Sequence, residues 1–186
     1  MKFPDNITFL IVPGLRDHAE AHWQTHLEKE LPRAVCVEPL KENKLSRPAR
    51  VQALNDTLAG IEGPVIIVAH SAGVMTTVHW AQQYQRPIHG ALLATPADVE
   101  EPMPEGQPSL DELSSNGWTP IPITPLPFPS ILAASRNDPL ARFERAQQMA
   151  AAWGARLVDL GDVGHLNPAS GFGPWPGAQP LLQELV

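Results

Sequence analysis

Two rhythms of apolar and polar positions alternate along the chain. Six short runs are apolar almost throughout: 7–12, 34–38, 65–69, 90–95, 130–135 and 156–160. Several, such as Val65-Ile66-Ile67-Val68-Ala69 and Ala91-Leu92-Leu93-Ala94, carry no polar side chain, as a strand covered on both faces does. Between the runs, apolar residues recur at helical spacing: Trp23, Leu27 and Leu31, then Val51, Leu54 and Leu58. Leu140, Phe143, Met149 and Trp153 do the same ahead of Gly154, a helix stop. Strands alternating with helices predict an α/β fold. About six strands should form a parallel sheet with right-handed crossovers and helices on both faces, three layers in all.

Segment 96–129 breaks the rhythm. It holds nine prolines and no convincing periodicity. A loop of that length within a compact domain is as a rule functional or mobile, so it is expected to be a lid or pocket wall. A plain surface excursion is the simpler alternative. No repeat or boundary divides the sequence, so residues 1–186 read as one domain.

The balance of charge narrows the partners. Thirteen Lys and Arg stand against 20 Asp and Glu, a net charge of −7, whereas a nucleic-acid-binding face must be cationic. A single cysteine, Cys36, cannot form an internal disulfide. The first residues, Met1-Lys2-Phe3-Pro4-Asp5-Asn6, lack the apolar stretch of a signal peptide, and no run reaches the roughly 20 apolar residues of a membrane span. A cytoplasmic protein without membrane or nucleic-acid partners is expected.

Candidate chemistry centres on Val68-Ala69-His70-Ser71-Ala72-Gly73, where a buried strand runs into a serine between small residues and then directly into a helix. That is the nucleophile-elbow pattern G-x-S-x-G, with Ala69 in place of the first glycine. The serine backbone is strained in so sharp a turn, and larger side chains two positions away would collide with strand and helix. The plainer reading is that Ser71 only caps the helix.

A serine hydroxyl needs a base. Of seven histidines, His165 lies in Gly161-Asp162-Val163-Gly164-His165, a loop just past the last strand. In a parallel sheet that loop emerges at the same carboxyl edge as Ser71. His70 is set aside because neighbours across a sharp turn point apart. Asp138, in Ser135-Arg136-Asn137-Asp138-Pro139, follows the fifth strand on the same edge and is the expected orienting carboxylate, against Asp159 and Asp162 as rivals. Asp138 before Pro139 also suits an ordinary helix cap.

Oxyanion donors are expected from the backbone N–H of Ala72 and, across a strand-order reversal, of Leu15 in the Pro13-Gly14-Leu15 turn. Trp118, Phe128, Phe172 and Trp175 are bulky enough to cover a small apolar pocket. His18, His22 and His26 recur every four residues, yet no H-E-x-x-H pattern or cysteine accompanies them. They are expected to be polar surface, not a metal site.

Taken together, these segments resemble the small serine hydrolase family that includes the YdeN-like proteins and the retinoblastoma-binding-protein-9 group. The resemblance spans nearly the whole chain. It rests on Val12-Pro13-Gly14 with Trp23, on 68–73, on Thr95-Pro96-Ala97-Asp98-Val99, and on Leu126-Pro127-Phe128-Pro129-Ser130. Ser135-Arg136-Asn137-Asp138-Pro139, Gly164-His165-Leu166-Asn167 and Ser170-Gly171-Phe172-Gly173-Pro174-Trp175-Pro176 complete it. It implies a minimal α/β-hydrolase fold lacking the first strands of larger relatives, a triad at Ser71, Asp138 and His165, and no cofactor. The expected substrate is a small ester, thioester or amide. The different-class alternative is a binding or regulatory protein that keeps the fold without turnover.

Overall fold

Each of the six apolar runs forms a strand in the computed structural model, which describes residues 3–16 and 19–186. The strands are β1 (Thr8–Val12), β2 (Ala34–Cys36), β3 (Val65–His70), β4 (Gly90–Ala94), β5 (Ser130–Ala134) and β6 (Arg156–Asp159). All neighbours pair in parallel, in the order β2-β1-β3-β4-β5-β6. The chain moves outward from β1 to β2, returns across β1 to β3, and then continues the other way. The order therefore reverses between β1 and β3, where the loops leaving their carboxyl ends part and open a crevice.

Helices α1 (Trp23–Glu30), α2 (Arg47–Ala59), α3 (Ala72–Gln83), α4 (Leu110–Ser115), α5 (Phe143–Trp153) and α6 (Ala178–Gln183) fill the connections and the end of the chain. Successive strand side chains point to opposite faces, so each strand feeds two cores. Leu10, Val65, Ile67, Ala69, Leu93 and Leu132 meet residues of α2, α3 and α5. Phe9, Ile11, Ile66, Val68, Leu92 and Ala133 meet Trp23 and Leu27 of α1 and Leu182 of α6. The result is the three-layer α/β/α arrangement. Among the described residues, no helix is long and apolar enough to cross a membrane.

Local chemistry explains several boundaries. Ser46 caps α2 by accepting the Ala49 N–H at 3.3 Å, with Pro48 in the first turn. Gly154 ends α5 in the left-handed conformation (φ 66°), which a residue without Cβ adopts freely.

The Pro-rich segment differs from its irregular expectation. It contains α4, started by a reciprocal capping box between Ser109 and Glu112. Around that helix the segment is stitched to the body of the fold. Trp118 donates its indole N–H to the Leu45 carbonyl at 2.7 Å, and Trp153 donates to the Pro122 carbonyl at 2.7 Å. Leu113, Trp118, Ile121, Leu126 and Phe128 are buried in the core beneath α2, α3 and α5.

Candidate active site

Ser71 occupies the one-residue corner between β3 and α3, with φ 56° and ψ −123°. A non-glycine residue held there carries roughly 1–3 kcal/mol of backbone strain. The corner is tight because β1 ends against α3. A Cβ built on Gly73 would lie 2.2 Å from the Val12 carbonyl oxygen and 2.8 Å from that of Pro13. Gly14 approaches from the other side: a Cβ there would lie 3.3 Å from Ser71 Cβ and 3.6 Å from its Oγ. The small residues flanking Ser71 therefore follow from contact between two strand ends. Ser71 makes no side-chain cap to α3.

Its hydroxyl points elsewhere. Ser71 Oγ lies 2.8 Å from His165 Nε2, and His165 Nδ1 lies 2.9 Å from both carboxylate oxygens of Asp138. A carboxylate only accepts, so the proton sits on Nδ1 and Nε2 is left to accept the serine O–H. All three groups are nearly dry, Ser71 at 8% exposure. Asp138 Oδ1 also accepts the Leu140 N–H at 2.9 Å, which fixes the turn around Pro139. Asp159, a rival in the sequence, is engaged by Arg136, whose Nε and Nη2 both donate to Oδ2; that guanidinium holds its carboxyl below the usual range.

The loop carrying His165 is tied down on three sides. Val163 N–H donates to Ser135 Oγ at 3.2 Å and Gly164 N–H to Asn137 Oδ1 at 2.6 Å, both from the loop that bears Asp138. His165 N–H donates to Ser170 Oγ at 3.0 Å. From the serine strand, His70 Nε2 reaches the His165 carbonyl at 2.9 Å. His70 is buried, and burial, followed by the fields of His165 and His22, pushes its pKa well below 6.5. It is therefore neutral and donates through Nε2–H. Sequence reasoning set His70 aside as a base, and missed this supporting role.

Gln24 was missed as well. Buried on α1, its amide donates to the Val12 carbonyl at 3.2 Å and the Val68 carbonyl at 2.9 Å, bridging the strands at the reversal point. Of the two expected oxyanion donors, Ala72 is the first residue of α3, where an N–H has no acceptor within the helix. Leu15 follows Gly14 directly and is half-buried.

The aromatic residues expected as pocket walls divide between the two cores of the sheet. Trp118 is fully enclosed (0% exposed) and Phe128 is buried, both in the core on one sheet face. Phe172 and Trp175 pack against the opposite core, Trp175 edge-on to Trp23 at 4.9 Å. Their apolar surfaces are drawn to the two faces of the sheet, Trp118 and Phe128 wholly and Phe172 and Trp175 in part.

Of the three spaced histidines, His18 lies outside the described residues. His22 is not simple polar surface: its Nδ1 accepts the Gln24 N–H at 3.2 Å, and its ring is 4.6 Å from that of His70. His26 borders a cleft of about 230 Å³ that Trp23 and Trp175 also line. Among the described residues, no three His, Cys, Asp or Glu side chains gather closely enough to hold a metal ion.

Comparison with known proteins agrees with this frame. A protein described as a YdeN-like hydrolase, from Pectobacterium atrosepticum, is 34% identical; the match covers 97% of this chain and 90% of that one, with a TM-score of 0.83. The ydeN gene product of Bacillus subtilis shares the fold at 19% identity, covering 97% and 98% of the two chains with a TM-score of 0.77. A thermophilic esterase from Thermogutta terrifontis shares it at 14% identity, covering 96% and 90% with a TM-score of 0.66. No curated protein matches the chain in sequence. The serine hydrolase family pattern matches residues 9–184, nearly the full length, and this chain belongs to that family.

Proposed function

We propose that the protein hydrolyses a small carboxylic ester, thioester or amide through an acyl-enzyme on Ser71. The observation that carries this reading is the hydrogen-bonded series Ser71–His165–Asp138, with 2.8 and 2.9 Å links. As Ser71 Oγ attacks the substrate carbonyl carbon, its proton passes to His165 Nε2. Asp138 holds the ring and offsets the imidazolium charge. The tetrahedral oxyanion is met by the N–H groups of Ala72 and Leu15. Collapse breaks the bond to the leaving group, which takes the proton from Nε2. Water then repeats the sequence on the acyl-serine, releasing the acid and restoring the hydroxyl.

In this reading segment 96–129 is a fixed flank of the site, held by Trp118 and Phe128, and not a lid that swings. A fluorophosphonate tests the proposal directly, because an activated serine forms an Oγ–P bond and expels fluoride. Stoichiometric labelling, abolished in Ser71→Ala, is expected. Undiminished labelling of that variant would place the nucleophile elsewhere, and an unlabelled native protein would favour a binding or regulatory role.

A further inference from the structure

Arg50 is a buried cation outside the serine, histidine and aspartate series. It sits in the first turns of α2 with 7% of its surface exposed. Its guanidinium is spread over three backbone carbonyls. Nε donates to Lys44 at 2.7 Å, Nη1 to Gly14 at 3.2 Å and Nη2 to Leu15 at 3.2 Å.

The second of these bonds matters most. The Gly14 carbonyl and the Leu15 N–H are the two ends of one planar trans peptide and point in opposite directions. Whatever fixes the carbonyl also aims the N–H. That plane needs fixing, because Gly14 has no Cβ to restrict it, and one added there would sit tightly, 3.3 Å from Ser71 Cβ. The third bond holds the next peptide plane, so the fork grips the turn on both sides of Leu15. A cation on a carbonyl also polarises the amide, which strengthens its N–H as a donor.

We propose that Arg50 is a positioning residue of the oxyanion site: it orients and polarises the Gly14–Leu15 peptide so that the Leu15 N–H meets the developing oxyanion. This rests on the reading of Leu15 as a donor to that oxyanion. In this role Arg50 acts through the backbone it holds around Leu15 and not by contact with the reacting atoms. Because an oxyanion forms only in the transition state, loss of Arg50 should lower kcat and leave KM nearly unchanged.

The test uses the full chain, p-nitrophenyl acetate as substrate and a phenylboronic acid as tetrahedral analogue. Loss of a whole oxyanion donor costs about 10²–10³-fold in kcat, so Arg50→Ala should lose roughly 10–100-fold, with KM within about twofold. Boronate affinity should fall in step with kcat, and millimolar guanidinium should restore part of both. Arg50→Lys keeps the charge but lacks the planar fork, so it should lose several-fold and serves if the alanine variant does not fold. Leu15→Pro removes the N–H itself. If Leu15→Pro is impaired while a folded Arg50 variant keeps native kcat and boronate affinity, the role of Arg50 is overturned. If Leu15→Pro also keeps both, the donor assignment fails, and Arg50 with it.

Discussion

His70 Nε2 lies 2.9 Å from the carbonyl oxygen of His165, so the residue beside the serine holds the backbone of the residue that would activate it. The two rings are 4.9 Å apart. A charged His70 there would oppose the imidazolium that the proposed mechanism forms on His165. Burial keeps it neutral.

This neutrality makes stability depend on pH. The unfolded chain takes up a proton at His70 near the ordinary value of 6.5, whereas the folded chain resists it. Above 6.5 both states are neutral and nothing is lost. As pH falls below 6.5 the unfolded state gains protons first, so stability declines down to the lowered folded value. His79, also lowered by burial, has the same sign. Melting curves of the native protein from pH 7.5 to 5 should show a falling Tm, with a shallower fall in His70→Gln. Equal slopes would remove His70 as a source.

Replacing the carboxylates separates Asp138 from Asp159. Asp138→Asn should cost roughly 10⁴-fold in turnover, because an amide no longer fixes the Nδ1–H tautomer. Asp159→Asn should stay close to native, since its partner Arg136 is largely exposed and surface pairs contribute little. Turnover of p-nitrophenyl acetate by the two variants decides between them.

Gly73→Ala should be far more damaging than its single methyl suggests. The new Cβ would overlap the Val12 carbonyl, and a backbone atom has no rotamer to escape into. Overpacking of this kind costs about 1–3 kcal/mol, occasionally more. The expected result is a lowered Tm together with loss of fluorophosphonate labelling. A variant with native Tm and labelling rate would mean that β1 and α3 can separate freely.

Truncating the buried indole tests the Pro-rich segment. Trp118→Ala should lose about 3–5 kcal/mol in denaturant unfolding. If the segment is a fixed flank, the preference among acetate, butyrate and palmitate esters should be unchanged in the folded fraction. A shift toward long acyl chains would show that Trp118 limits the acyl site after all.

The sheet was legible because its four central strands are buried on both faces, which short, wholly apolar runs such as Val65–Val68 signal. Parallel pairing then put Ser71, Asp138 and His165 at one edge, as the structure does. Two kinds of information were not legible. Bulk alone does not say which side of the sheet receives a side chain, so Trp118 read as a pocket wall. Polar residues that brace backbone, such as Gln24, His70 and Arg50, have no periodicity, because their partners lie far off in sequence. The Ser109-Leu110-Asp111-Glu112 capping signal for α4 was present, but a search for apolar spacing passes over it.

Ser71 and His165 stand 94 residues apart in the chain. The loop that delivers the imidazole follows β6, the last strand in the sequence, which lies at one edge of the sheet. On the proposed mechanism, a chain emerging from synthesis carries Ser71 without its base until the residues beyond β6 have been made and packed against the serine corner.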